Sequence, residues 1–315
     1  MSLLAASGIG YWAIQPVVEV GEPIPFAIKS GSGLKGVVQQ IASAGVPVNP
    51  DLLGLLVRLT GKSGKLKAGS YEIKPGATPL RLIKQLVRGE FAQESLTIIE
   101  GWNFHQMRQA VAVQTALKHD TESLSDAELM AKITTDYSLP EGLFAPDTYL
   151  FAKGASDLQV YNQAHALLVK RLNVAWENRD NTLPYKTPYE ALIMASIIEK
   201  ETGRKAERTN IAGVFINRMR IGMLLQTDPT VIYGMGDQYK GIIRKRNLTI
   251  DTPYNTYIRS GLPPTPISLP GDESLYAAMN PTKTDALYFV AKGDGSSHFS
   301  RNLSEHNQAV NKYQR

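Results

Sequence analysis

The residues best placed for chemistry are Glu199, Lys200 and Glu201, which close the stretch Thr187-Pro-Tyr-Glu-Ala-Leu-Ile-Met-Ala-Ser-Ile-Ile-Glu-Lys-Glu201. Ala191 to Ile198 carry no charge, and Glu199 ends that run. Leu192, Ala195 and Ser196 stand at i−7, i−4 and i−3 from Glu199, so on a helix the carboxylate continues an apolar stripe. Apolar surroundings disfavour the charged form of a carboxyl group and make it a proton donor near neutral pH. Glu199 is therefore a candidate general acid. The alternative is that the helix surfaces here and Glu199 is solvated or pairs with Arg204. Glu201 would point about 200° away round the helix, so the two cannot face one cleft. Glu207 becomes a candidate only if the helix breaks at Gly203.

The element that positions Glu199 reads as a helix from its first residue. Thr187 is an N-cap, Pro188 suits the first helical position, and Glu190 completes a capping box. A helix apolar on all faces is usually buried. Gly203 reads as its stop, and a second helix runs to about Arg220 with Ile211, Val214, Phe215 and Met219 on its core face. Beyond it, Leu225–Gly234, Thr252–Tyr257, Gly261–Pro266 and Leu269–Gly271 are punctuated by Pro and Gly and carry Tyr, Asn, Thr and Gln. Such a surface suits sugars, with rings on pyranose faces and amides on hydroxyls; ordinary loop chemistry is the other reading. Ser274–Ala278 reads as a short helix, Ala286–Ala291 as a strand, Gly293–Phe299 as a hairpin turn into another, and Ser304–Tyr313 as a closing helix.

Upstream, residues 24–102 carry a loose repeat of a short strand, a Gly turn and an amphipathic helix. It occurs at Ile28-Lys-Ser-Gly-Ser-Gly-Leu34, at Ile73-Lys-Pro-Gly-Ala-Thr-Pro-Leu80, and weakly at Ile99-Glu-Gly-Trp-Asn-Phe104. Leu34, Val37, Val38 and Ile41 fall at helical spacing, as do Leu80, Ile83, Leu86 and Val87. Leu52, Leu55, Leu56 and Leu59 define one face of a helix between them, and Leu66–Ile73 reads as a strand. This strand–helix–helix–strand order resembles a LysM module, a type that binds N-acetylated sugars; a structural module with no sugar site fits the pattern equally. Residues 104–180 read as helices over 106–117, 125–135 and 158–178, with Ser125-Asp-Ala-Glu128 as a capping box. Between the last two lies the turn-rich loop Pro140–Phe151. Leu3–Ile14 is an uncharged run too short for a bilayer, which takes about 20 apolar residues. It reads either as the outer end of a membrane anchor, with Met1 and Ser2 as additions and Tyr11 and Trp12 at the interface, or as a plain apolar strand or helix.

An apolar content of 43% with 20% charged residues is that of an ordinary globular chain. The net charge of +5 is mild and scattered, and it fits an anionic polymer or a membrane surface as well as nucleic acid. The basic Lys240–Arg246 segment is too short to make nucleic acid the expected partner. With no cysteine, and none of the five histidines in a metal-ligand spacing, neither a thiol enzyme nor a zinc hydrolase is expected, and no cofactor is implied.

Several segments, taken in order, resemble the endolytic murein transglycosylases of the YceG-like family. They are Glu141-Gly-Leu-Phe-Ala-Pro-Asp-Thr-Tyr149, Ala195-Ser-Ile-Ile-Glu-Lys-Glu201, Phe215-Ile-Asn-Arg218, Gln226-Thr-Asp-Pro-Thr230, Tyr254-Asn-Thr-Tyr257, Gly261-Leu-Pro-Pro264 and His298-Phe-Ser300. The expected class is α+β: a small LysM-like α/β module followed by a mixed helical and β catalytic domain. The boundaries are 1–23 for an anchor remnant and linker, 24–102 for the module, and 103–315 for the catalytic domain, helical over 103–182 with its core over 183–315.

The resemblance implies an enzyme of the bacterial inner membrane, held by one N-terminal helix and working on the periplasmic side. It cuts the bond between N-acetylmuramic acid and N-acetylglucosamine within peptidoglycan strands and leaves 1,6-anhydro ends. The family glutamate falls on Glu199, acting as acid and then base. Gln226, Thr227, Tyr254 and Asn255 are candidates for holding the glycan, with Tyr254 and Asn255 equally open to structural roles. Glycan polymerases and transpeptidases of wall synthesis are the expected protein partners, and ending strand growth the expected task. Two alternatives stand beside this: a lysozyme-type hydrolase with Asp228 as second carboxylate, and a non-catalytic glycan-binding scaffold.

Overall fold

The structure, a computed structural model, describes residues 3–314, with side chains from residue 8; Met1, Ser2 and Arg315 lie outside the described residues. The chain forms two units, Met1–Ser95 with Leu150–Ala155, and Leu96–Tyr149 with Ser156–Arg315. The architecture is mixed α and β, with small two-stranded antiparallel pairs.

The first unit contains α1 (Leu3–Ile14), β1 (Ile24–Ile28), α2 (Leu34–Ser43), α3 (Pro50–Leu59), β2 (Gly69–Ile73) and α4 (Pro79–Arg88). The chain passes between the units along β3 (Gln93–Thr97) and β4 (Thr148–Ala152). β1 and β2 pair antiparallel with Phe26 opposite Tyr71, and the two rings stack at 5.5 Å. Their inward residues meet Val37, Val38 and Ile41 of α2 and Leu82, Ile83 and Leu86 of α4 in one core. Asn49 caps α3 ahead of Pro50, and Thr78 caps α4 ahead of Pro79. The buried face of α3 is Leu53, Leu56 and Val57, while Leu52 and Leu59, expected inside, are exposed. Leucines surround this helix, so spacing alone selects two faces and packing chooses one. Leu3–Ile14 is helical; its Ala13 is buried in the unit's core and Ile9 and Trp12 pack on that core, while Tyr11 is exposed. No helix among the described residues is long and apolar enough to cross a membrane.

The second unit contains α5 (Phe104–Ala112), α6 (Asp126–Ile133), α7 (Asp157–Glu177), α8 (Pro188–Glu201), α9 (Arg208–Arg220), α10 (Asp228–Met235) and α11 (Asp272–Met279). It ends in the hairpin β5 (Tyr288–Ala291) and β6 (Ser297–Ser300) and in α12 (Leu303–Tyr313). Every residue of α8 from Ala191 to Ile198 is buried, because α7, α9, α10 and α11 all pack on it. Thr187 accepts from the Glu190 N–H as the sequence predicts, but the Glu190 carboxylate takes the Lys186 N–H, one residue earlier than a capping box requires. The Ser125 and Glu128 box is complete. α5 stops five residues short of the predicted Leu117, at Ala112.

Gly142 shows how tightly the loop before β4 is set. It has φ +77°, and a Cβ there would lie 2.2 Å from Pro266 Cβ. Gly142→Ala is expected to destabilise the protein by about 2–5 kcal/mol from backbone strain and overpacking together. Urea denaturation measures it, and an unchanged midpoint would show that Pro266 yields freely.

Candidate active site

Glu199 sits at the last turn of α8, where the buried helix meets two crossing segments. The first is the proline-rich strap of residues 261–271. It runs beside α8: the Ile267 N–H donates to Ser196 Oγ at 3.0 Å, and Ser268 Oγ donates to the Ser196 carbonyl at 3.0 Å. The strap then delivers the Gly271 N–H to Glu199 Oε2 at 2.9 Å. The second segment is residues 99–103, paired with the strap through Gly101 N to Leu269 O at 2.9 Å and Leu269 N to Trp102 O at 2.6 Å. A Cβ built on Gly101 would stand 3.7 Å from Glu199 Cγ, in ordinary van der Waals contact, and the φ of +77° there favours glycine. Lys200 Nζ holds the Gly101 carbonyl at 3.0 Å.

The other oxygen of Glu199 meets a cation. Arg208 Nη2 donates to Glu199 Oε1 at 2.9 Å, and both side chains are only 5% exposed. The apolar helix therefore positions Glu199, while an arginine and a backbone amide are its direct partners. The pairing differs from the Arg204 pairing offered by the sequence. Helix α8 ends at Glu201, Thr202 is extended, and a 3₁₀ turn over Lys205–Glu207 swings Arg208 back to Glu199. Arg208 Nε and Nη1 are buried and have no hydrogen-bond partner among the described residues.

Glu201 has a different set of partners, as the helical angle predicts. Its Oε2 accepts from Thr227 Oγ1 at 2.7 Å, and burial pushes its carboxyl above the usual carboxylate range, with neighbouring Asp228 adding to the rise. Glu207 is used structurally, accepting from the Ser297 N–H and Oγ, both at 2.8 Å.

The four candidate glycan residues separate. Gln226 is exposed and holds φ at +46°, a left-handed conformation that is uncommon for a residue with a side chain and clusters at functional positions. Thr227 is buried against Glu201 and Thr256. Tyr254 is half-buried, bonded to Thr265 Oγ1 at 2.9 Å and set edge-on to Tyr233 at 4.7 Å between centroids. Asn255 is buried, and its amide holds its own loop through Leu248 O, Ile250 O and the Tyr257 N–H. Asp228 accepts from Tyr257 OH at 2.5 Å. A cleft of about 580 Å³ elsewhere in this unit, lined by Asp180, Asn217, Arg220, Lys283 and Arg301 among others, includes none of these residues.

Three charged groups escaped the sequence reading. Arg208 lies nine residues past Glu199, a separation that means nothing until the turn is known. Glu100 is exposed, and its carboxylate lies where a Cβ on Gly271 would fall, beside the amide that serves Glu199. Glu141 opens the Glu141–Tyr149 segment, and nothing in its spacing marks it as a buried carboxyl. Its side chain accepts from the Phe104 N–H at 3.1 Å and from Tyr233 OH at 3.0 Å, tying α5, α10 and the Gly142 turn together. Desolvation pushes its carboxyl up to about 7 against the opposing pull of those hydrogen bonds.

A raised folded value means that the folded state binds the Glu141 proton more tightly than the unfolded chain. The stabilisation is full below pH 4.5 and is lost as pH rises through about 7. The loss is about 3 kcal/mol. Glu201 acts in the same direction. Melting temperature should therefore fall between pH 4.5 and 7.5, and fall less in Glu141→Gln. Equal slopes in thermal melts of the two proteins would remove Glu141 as the source.

Residues 26–312 match the YceG-like family. An endolytic murein transglycosylase of Bacillus subtilis (strain 168) is 32% identical, the match covering 91% of this chain and 83% of that protein. An endolytic murein transglycosylase of Streptococcus pneumoniae (strain ATCC BAA-255 / R6) is 28% identical over 98% of this chain, which spans 63% of that longer protein. The crystal structure of a yceG-like protein from Listeria monocytogenes superposes with a TM-score of 0.58 at 31% identity, covering 92% of this chain and 99% of that one. A match that spans residues 26–312, from the β1 strand to the closing helix, with Glu199 and its strap inside those bounds, places this chain in the YceG-like family.

Proposed function

We propose that this protein is a peptidoglycan lytic transglycosylase that cuts within glycan strands. Glu199 protonates the oxygen between N-acetylmuramic acid and N-acetylglucosamine and then serves as base. The carrying observation is the Glu199 carboxyl itself: buried at the end of an enclosed helix and held by Arg208 and the Gly271 amide, in a chain whose relatives are named endolytic murein transglycosylases.

The carboxylate bound to Arg208 is the base form. The acid half of the cycle begins when Oε1 carries a proton in place of its bond from Arg208. That proton goes to the glycosidic oxygen, the C1–O bond breaks, and C1 gains oxocarbenium character. Ionised Glu199 then takes the proton of the muramoyl C6 hydroxyl as its oxygen closes on C1. The product is the 1,6-anhydro ring, with no water consumed. One carboxyl suffices because the nucleophile belongs to the substrate, and proximity supplies much of the rate. Gln226 and Tyr254, the more accessible of the four candidates, are assigned to holding the glycan.

The first unit is read as LysM-like on the strength of its β1–α2–α3–β2 order and antiparallel pairing. The chain is assigned to the periplasmic side of the bacterial inner membrane, where its polymer lies; the uncharged Leu3–Ile14 run and the absence of cysteine support this. Ending strand growth beside glycan polymerases and transpeptidases is the task this activity would suit. A lysozyme-type hydrolase is the second reading, and one observation favours it: Glu201, a half-buried carboxyl bonded to Thr227 and raised by desolvation, neighbours Asp228.

Digestion of uncross-linked glycan strands, with products weighed by mass spectrometry, separates the readings. Wild type should release anhydro-ended fragments. Glu199→Gln keeps an oxygen for Arg208 but has no proton to give, and should lose at least a hundredfold in rate. Fragments heavier by one water would favour the hydrolase. Residual activity above about one part in a hundred would move the acid role away from Glu199.

A further inference from the structure

Gln226 is the one non-glycine residue with a positive φ among the described residues, at +46°. A side chain in that region crowds its own backbone, so the conformation persists only where the surroundings over-determine it. Three hydrogen bonds do so. The Gln226 N–H donates to the Thr256 carbonyl at 3.0 Å, and the Thr227 N–H donates to Thr256 Oγ1 at 3.1 Å. The third comes from the last turn of α8, where Glu201 Oε2 accepts from Thr227 Oγ1 at 2.7 Å. Thr227 and Thr256 are both buried, and Thr256 Oγ1 is braced by Thr230 Oγ1 at 2.8 Å. Gln226 itself is exposed, and its side-chain amide has no hydrogen-bond partner among the described residues. Glycine would make the same turn without strain, so the turn alone does not account for a glutamine there.

We propose that Glu201 is a positioning residue that, through Thr227, locks Gln226 in the left-handed conformation presenting its free amide to a sugar beside the scissile unit. The proposal rests on the reading of this protein as a glycan-cleaving enzyme with Glu199 as acid and base. An amide both donates and accepts, which suits sugar hydroxyls and N-acetyl groups alike. Glu201 lies two residues past Glu199 and about 200° round α8, so the turn it holds stands to the side of the reacting carboxyl. A contact made there is the same in the ground state and the transition state, and its loss appears in KM and not in kcat. Ionised or protonated, Glu201 keeps an oxygen for the Thr227 hydroxyl, so the role needs its acceptor and not its charge.

Kinetics on uncross-linked glycan strands test this, with each variant confirmed as folded by circular dichroism. Thr227→Val and Glu201→Ala each break the bond and should raise KM by roughly fivefold or more, with kcat within about twofold of wild type. Thr227→Ser and Glu201→Gln keep the bond and should leave both constants within about twofold. Gln226→Ala should show the same raised KM, and adding Thr227→Val to it should change KM no further. An unchanged KM in Thr227→Val, or a KM effect that multiplies with that of Gln226→Ala, overturns the proposal. Loss of cleavage in Glu201→Gln also overturns it and makes Glu201 a reacting carboxyl, as the hydrolase reading requires. Should Glu201→Ala fail to fold, the Thr227 series decides the matter by itself. Cleavage surviving in Glu199→Gln would defeat the acid reading, whereas multiplying KM effects would defeat only the role given to Glu201.

Discussion

An α-helix without a solvent face sets the terms for the second unit. From Ala191 to Ile198, α8 has no position at which water can meet a side chain, so α7, α9, α10 and α11 must cover it from every direction. Each fully buried Leu, Ile or Met contributes about 1.5–3 kcal/mol from removal of apolar surface. The lone polar side chain in that run, Ser196, is satisfied at once by the Ile193 carbonyl and the Ile267 N–H. The helix thus becomes a rigid mount, and the first carboxylate beyond the apolar run is held where mount, strap and turn converge. Positioning by rigid elements is what a proton-transfer group needs, because its reach is a single hydrogen bond.

The unit contains carboxyl groups in three distinct settings. Glu199 has a cation at hydrogen-bond distance; Glu201 has a hydroxyl and a neighbouring carboxylate; Glu141 has an amide, a phenol and little water. Separate environments let one fold carry carboxyl groups with separate tasks. Glu141 binds elements together, Glu201 anchors the Thr227 turn that opens α10, and Glu199 occupies the place where the backbone is stripped to glycine at both 101 and 271.

Local signals in the sequence were legible because their physics is local. The Thr187 cap, the Ser125 box and the enclosed α8 are each decided within a few residues. The β1–α2–α3–β2 order followed from alternating strand, turn and helix patterns. The α3 face was not legible, since Leu52, Leu53, Leu55, Leu56 and Leu59 surround that helix and only packing on α2 and α1 selects Leu53 and Leu56. The Arg208 partnership was hidden for another reason. It depends on the extended Thr202 and the 3₁₀ turn that follows, which reverse the chain by an amount no periodicity encodes. The Gly271 amide lies 72 positions from Glu199 in the chain, so its role is purely tertiary.

The strap also acts as a gauge of helical phase. Both polar groups of Ser196 lock onto residues 267 and 268, and Gly271 reaches Glu199 three residues further along the helix. Pro270 limits how far the strap can stretch or shorten between those points. A slip of one residue between strap and helix would turn the carboxylate about 100° and move it about 1.5 Å along the axis. Insertions or deletions within 196–199 or 267–271 are therefore closed to this scaffold, while length changes in the loops preceding the strap leave the phase of Glu199 untouched.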